Sequence, residues 1–301
     1  MVGAHGRHFI VESADGVRRL CHTRGKKSQG VVGDRVQWQP AGDEGVIERI
    51  EPRRNLLFRQ DEWRSKSFAA NLDQLLVLVA AEPMYAETQL SRALIAARQA
   101  GIPAFVVLNK IDLPQATAAR ERLAPYLAMG VEVIELSLKG EPGAALALLT
   151  PRLAGRATLV LGPSGMGKST LINLMVPAAA AQVGEISQAL NTGRHTTTTT
   201  TWYWLKGGLK DEQGDELADV RKTALLDSPG FQNFGLMQVA PADLGPLMPD
   251  MASHIDCRFY NCTHLHEPGC GVRAALERGE ISASRYRIYQ ELYAELSTTK
   301  W

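Results

Sequence analysis

Residues 157–175 read ATLVLGPSGMGKSTLINLM, and this stretch decides the fold. An apolar strand-like run, a glycine-rich loop and a helix-forming run follow one another without a gap. Gly162, Gly167, Lys168 and Ser169 fill every fixed position of G-x-x-x-x-G-K-S, in the strand–loop–helix setting that this motif requires. Glycines let such a loop wrap closely. The backbone N–H groups of Ser164, Gly165, Met166 and Gly167 then point inward and cradle phosphates. Lys168 would reach the β- and γ-phosphates, Ser169 would ligate Mg²⁺, and Thr170 follows on the same helical turn. A P-loop α/β domain binding a nucleoside triphosphate is expected.

Upstream, the runs DQLLVLVAA, IPAFVVLNK and VEVIELS alternate with the helical stretches ETQLSRALIAARQA and ATAARERLAPYLAMG, the texture of βαβ units around a parallel sheet. Asn109-Lys110-Ile111-Asp112 closes the second strand. A carboxylate at Asp112 can accept from N1–H and the 2-amino group of guanine, which adenine cannot match. Asn109 would hold the loop and touch the base edge, and the Lys110 stem would pack over the ring. Ser137-Leu138-Lys139, after another strand, would support the base. The expected ligand is therefore GTP or GDP. Downstream, Asp227-Ser-Pro-Gly230 follows the strand TALL, where Asp227 can hold Mg²⁺ through water and Gly230 can sense the γ-phosphate. Between them, Gly193-Arg-His195-Thr-Thr197 offers a second Mg²⁺ ligand. Six consecutive threonines leave its register open, with Thr197 preferred and Thr196 next.

The order of these motifs is unusual: guanine loop, phosphate loop, threonine switch, Asp-x-x-Gly. In Ras-like GTPases the phosphate loop comes first. A cut and a rejoining elsewhere would keep all four loops at one edge of one sheet. The segment after Gly230 then leads straight into the C-terminal region.

That region holds Cys257-x4-Cys262-x-His264-x5-Cys270, three of the four cysteines within fourteen residues. Three thiolates and one imidazole match a closed, structural Zn²⁺ site, with His254 and His266 as alternatives to His264. The ends of the chain bracket these signals. Residues 1–68 read as short alternating strands broken by Gly and Asp, an OB-like barrel. Residues 1–70 carry 13 Lys and Arg against 9 Asp and Glu, although the whole chain has a net charge of only +1. Arg18, Arg19, Arg24, Lys26, Lys27 and Arg35, with Trp38, suit a nucleic-acid backbone. Domains are expected at 1–68 (barrel), 69–243 (permuted GTPase) and 244–301 (zinc knuckle and helices). With 45% hydrophobic and 22% charged residues, whole-chain disorder is excluded. The N-terminus lacks a secretory pattern and no apolar run is long enough to span a bilayer. A cytoplasmic monomer without membrane contact is expected.

Together with VVGDRV, IEPRRNLLFR, GRHTTT, DSPGF and the EPGC of the knuckle, these features resemble the ribosome small-subunit-dependent GTPase A family, circularly permuted GTPases of bacterial 30S maturation. The resemblance spans nearly the whole chain. It implies an N-terminal OB-fold, a permuted GTPase domain and a C-terminal zinc domain. It also implies the 30S subunit and its 16S rRNA as partners and GTP hydrolysis stimulated by that subunit. Two departures stand out. Met166 sits where the family more often has Val, and the charged stretch 206–222 is long, read here as an exposed hairpin. Phe231 occupies the position of the water-orienting Gln of Ras-like enzymes, so His195 is the candidate for that task, with Lys168 stabilising charge. Rival readings are a GTP-regulated RNA-binding switch that barely hydrolyses, and a metal-trafficking GTPase.

Overall fold

The computed structural model describes residues 1–5, 8–24, 30–61, 64–177, 179, 200–205, 223–227, 236 and 238–298. The candidates His195, Thr196, Thr197, Gly230 and Phe231, the cations Lys26 and Lys27, and the stretch 206–222 lie outside them.

Three strands form the spine: β8 (Gln74–Ala80), β9 (Ala104–Asn109) and β11 (Ala157–Leu161). Every residue of β8 and β11 is buried, as expected where helices cover both faces of a parallel sheet. Beside them run β10 (Val133–Glu135), β13 (Ala224–Asp227) and β12 (Thr201–Trp204). The spatial order is β10-β9-β8-β11-β13-β12. All neighbouring pairs are parallel except β12 with β13. β11 lies centrally although it follows β8, β9 and β10 in the chain. Such a chain order is usual in doubly wound sheets; the permutation lies in the order of the motifs, with Asn109–Asp112 after β9 preceding the Gly162–Ser169 loop after β11. Because β9, β10, β11 and β13 point the same way, the loops after Asn109, Glu135, Leu161 and Asp227 share one sheet edge. The helices α1 (Glu87–Gln99), α2 (Ala116–Ala128), α3 (Pro142–Leu153) and α4 (Lys168–Met175) complete this layer. α3 was not expected from the sequence pattern; its Pro142 sits at the first helical positions, where a missing N–H costs nothing.

The N-terminal strands are β1 (Gly3–His5), β2 (His8–Glu12), β3 (Arg18–Thr23), β4 (Val36–Ala41) and β5 (Glu44–Ile50). They run in the order β1-β2-β3-β5-β4, with β3 and β5 parallel, around a small core of Met1, Phe9, Val11, Cys21 and Ile47. This OB-like unit is not detached from the GTPase sheet. Gly3 of β1 pairs with Thr201 of β12, which makes one eleven-stranded run. β6 (Leu56–Asp61) and β7 (Arg64–Ala70) form a separate hairpin that passes through residue 68.

The C-terminal region comprises α5 (Leu244–Leu247), α6 (Pro249–Ala252), α7 (Gly271–Glu277) and α8 (Ala283–Thr298). Its core, with Leu244, Met248, Met251, Val272 and Leu292, takes in Ile95 from α1. The joint is also polar. Arg285, 2% exposed, donates to both Asp250 oxygens (2.7 and 3.1 Å) and to Ser91 Oγ (2.6 Å), and its guanidinium lies 4.9 Å from the Tyr126 ring centre.

Candidate functional site

The phosphate loop spans β11 and α4, where the motif placed it, and each glycine in it has a packing reason. A Cβ on Gly162 would stand 2.3 Å from the Leu78 carbonyl oxygen, so the loop leaves β11 flush against β8. Gly165, at φ +82°, rests on Pro83, and Gly167 caps α4 in the left-handed region at φ +108°. Lys168 begins that helix. Its Nζ donates to the Gly162 and Pro163 carbonyls at 2.5 and 2.9 Å, curled over the loop it would serve. Burial lowers the Lys168 pKa and Asp227 raises it, with burial the larger effect. Ser169 and Thr170 occupy the same first turn, and Asp227 ends the adjacent β13.

The guanine-loop residues gather beside it. Asn109 is 3% exposed at the end of β9. Its Nδ2 donates to the Met166 carbonyl at 2.8 Å, and its Oδ1 accepts from the Leu138 N–H at 3.0 Å. One side chain thus ties together the loops after β9, β10 and β11. Lys110 adopts φ +62°, and its Nζ donates to the carbonyls of Glu82 (2.5 Å) and Gly165 (2.9 Å). Its ammonium braces the phosphate loop, a task additional to the stacking expected of its stem. The Ser137 hydroxyl accepts from Gly140 N–H at 2.9 Å, which shapes the turn facing the exposed Asp112. The Glu82-Pro83 segment is the contributor that sequence reasoning missed. It serves through a carbonyl and a ring face, and neither leaves a motif.

The second site lies in the C-terminal region. The ligand atoms of Cys257, Cys262, His264 and Cys270 all fall within 4.8 Å of one another. His264 Nδ1 is 3.4 Å from both Cys257 Sγ and Cys270 Sγ, and those sulfurs are 3.9 Å apart. Tetrahedral bonds to Zn²⁺ would set such separations at about 3.5 Å for N···S and about 3.8 Å for S···S. The donor set fits. Burial pushes the Cys262 thiol up to about 12 and lowers His264; a divalent cation favours the thiolate instead. The surroundings hold the ligands still. Arg273 N–H donates to Cys270 Sγ (3.5 Å), and the Tyr286 and Tyr289 hydroxyls donate to the carbonyls of His264 (2.7 Å) and Thr263 (2.8 Å). Among the three histidines, His264 is the one in place. His254 Nδ1 faces Glu280 at 3.7 Å, and His266 is exposed.

The expected basic face is partly neutralised. Arg18 pairs with Glu12 (2.7 Å) and Arg24 with Glu48 (3.0 Å), while Arg19 lies 5.6 Å from the Trp38 ring centre.

Comparison with known proteins supplies the context for this geometry. The sequence model described as RsgA GTPase matches residues 50–237. The chain belongs to the RsgA GTPase family. It is a GTP-hydrolysing enzyme with the permuted GTPase fold. It is 57% identical to the small ribosomal subunit biogenesis GTPase RsgA of Variovorax paradoxus, over 100% of this chain and 93% of that protein. It is 52% identical to the protein of the same name from Burkholderia pseudomallei, over 99% and 91%. The crystal structure of YjeQ from Thermotoga maritima superposes with a TM-score of 0.71 at 28% identity, covering 99% of this chain and 98% of that one. YloQ, described as a circularly permuted GTPase, superposes at 0.70 over 100% and 95%; at 23% identity it speaks for the fold alone. The Cys257, Cys262, His264 and Cys270 group could hold a metal ion, and among the described residues no helix is long and apolar enough to cross a membrane.

Proposed function

We propose that this chain binds GTP at the shared sheet edge and hydrolyses it on the 30S ribosomal subunit, in late small-subunit maturation, with the subunit stimulating the reaction. The convergence on Asn109 carries this reading, because a single amide couples the loop expected to read guanine to the loop expected to hold phosphate. Asp112 selects guanine, with Ser137 shaping the supporting turn. The N–H groups of residues 164–167 receive the phosphates, and Lys168 leaves the Gly162 and Pro163 carbonyls to meet the β- and γ-oxygens. Ser169 and Thr197 would hold the Mg²⁺ that accompanies the nucleotide, with Asp227 contributing through water, and the ion would supply neutralisation of phosphate charge. Thr170 and Gly230 complete the nucleotide contacts. His195 orients the attacking water in the subunit-bound state.

Cys257, Cys262, His264 and Cys270 would hold one structural Zn²⁺, which would stabilise the C-terminal region packed against α1. The chain divides into domains 1–68, 69–243 and 244–301, each centred on its own apolar core; the central core also takes in Val2, Ile10, Val32 and Leu57, and the C-terminal core Ile95, Leu236 and Val239. The barrel contributes 16S rRNA contacts, and the chain works as a monomer in the cytoplasm. The names of its relatives support the ribosomal partner. The deciding experiment is GTP turnover with and without purified 30S subunits. Stimulation is expected; equal rates would overturn the reading.

A further inference from the structure

A cleft of about 1000 Å³ opens between the OB-like strands and the GTPase sheet. It lies beneath the amino-terminal ends of β8 and β11, with Asp73, Gly155 and Ala157 on its wall, at the edge of the sheet away from the phosphate loop. Trp202, Trp204 and Leu205 line one side, and Met1 and Val2 another. The two indoles stand two residues apart on β12, edge to face, with centroids 5.3 Å apart. Trp202 is 8% exposed. The cleft runs into a smaller annex of about 260 Å³ whose lining includes Arg35, Gln37, Arg49, Glu51 and Arg54. Arg35 and Arg54 line both spaces.

The charges of the annex are the informative part. Arg54 is matched by Asp73 at 2.8 Å, and Arg53 nearby by Asp34 at 2.7 Å. Arg35 and Arg49 are exposed, and among the described residues their side chains make no ion pair or hydrogen bond, with Glu51 the one acidic group lining the annex beside them. The cleft has an aromatic and aliphatic wall, and its lining carboxylates Glu12, Asp34 and Asp73 are each paired with an arginine. It opens onto two guanidiniums without a partner among the described residues, a combination that suits a nucleotide unit in a single strand. A base inserts against aromatic rings, and its flanking phosphates meet arginine.

We propose that this junction binds one unstacked nucleotide of single-stranded RNA, with its base in the cleft against Trp204 and its phosphates on Arg35 and Arg49. The inference rests on rRNA being the partner and names where a strand of it enters. It also gives that binding a route to the nucleotide edge. β12, which carries both tryptophans, pairs at its far end with Asp227 through Thr201 and joins the threonine run.

The test uses the full chain, a single-stranded RNA of about twelve nucleotides carrying 2-aminopurine, within the usual range of such sites, and a salt series. Wild type should bind and quench the probe. Arg35→Ala/Arg49→Ala, both on the surface, should bind weaker and lower the salt slope by about 0.7 for each phosphate left without its arginine. Trp204→Leu should weaken binding by about tenfold with the salt slope intact. An arginine double variant with wild-type affinity and slope overturns the proposal even if Trp204→Leu fails to fold, as does a wild-type chain that leaves the probe bright. Co-sedimentation with 30S subunits separates the two levels. If wild type pellets and the double variant pellets equally well, this site is wrong and the ribosomal reading stands. If wild type does not pellet, the ribosomal reading itself fails.

Discussion

The backbone at Gly167 passes so near Asn109 that a Cβ there would lie 2.5 Å from the Asn109 amide nitrogen. That closeness lets the amide reach the carbonyl of Met166 beside it. The absence of a side chain at Gly167 therefore lets the Asn109 loop and the Gly162–Ser169 loop meet. Gly167→Ala should lose the Asn109–Met166 hydrogen bond and strain the left-handed φ of +108°. The two effects together amount to roughly 2 kcal/mol. Calorimetry should show guanine-nucleotide affinity falling by more than tenfold. An unchanged affinity would mean that the two loops are not coupled.

The proposed function places base choice on Asp112. Asp112→Asn should lose GTP affinity and gain for xanthine nucleotides, each missing charge-assisted hydrogen bond being worth roughly 1.5–3 kcal/mol. Competition between GTP and XTP for the variant gives the answer. Retained preference for GTP would remove Asp112 from recognition.

Metal should be stoichiometric in the wild-type chain. Cys262→Ala should lower its zinc content and loosen residues 244–298, while nucleotide binding largely survives, because the two sites lie in separate cores. Elemental analysis reads the first effect and limited proteolysis the second. Full zinc occupancy in the variant would place the ion elsewhere.

Arg285→Leu should destabilise the chain by about 2–4 kcal/mol, because it leaves the largely covered Asp250 carboxylate without its partner. The midpoint of denaturant unfolding measures this. A loss below about 1 kcal/mol would show that the joint between α1 and α8 is held by apolar packing alone.

His195→Ala should bind GTP and 30S subunits almost normally yet lose most of the stimulated turnover. Stimulation as strong as wild type would leave the water to a ribosomal group.

The sequence by itself determined the chemistry. A phosphate loop works through contiguous backbone N–H groups, so Gly162 to Ser169 had to be legible as a string. The same holds for Asn109 to Asp112 and for the four candidate metal ligands, which fall within fourteen residues. The permutation could be read too, since it is an order of motifs. Tertiary structure decided what depends on residues far apart in the chain. Packing against Gly245, Tyr286 and Tyr289 put His264 at the cluster and left His254 with Glu280. A buried Arg285 reads in the sequence as one more cation on a polar helix. Only the return across 194 residues to Ser91 of α1, with Tyr126 of α2 beside it, shows it as a clamp. The pairing of Gly3 with Thr201 follows the same rule. Hydrogen bonds along a strand edge carry no residue code, so register between distant strands is set by which faces must be buried together.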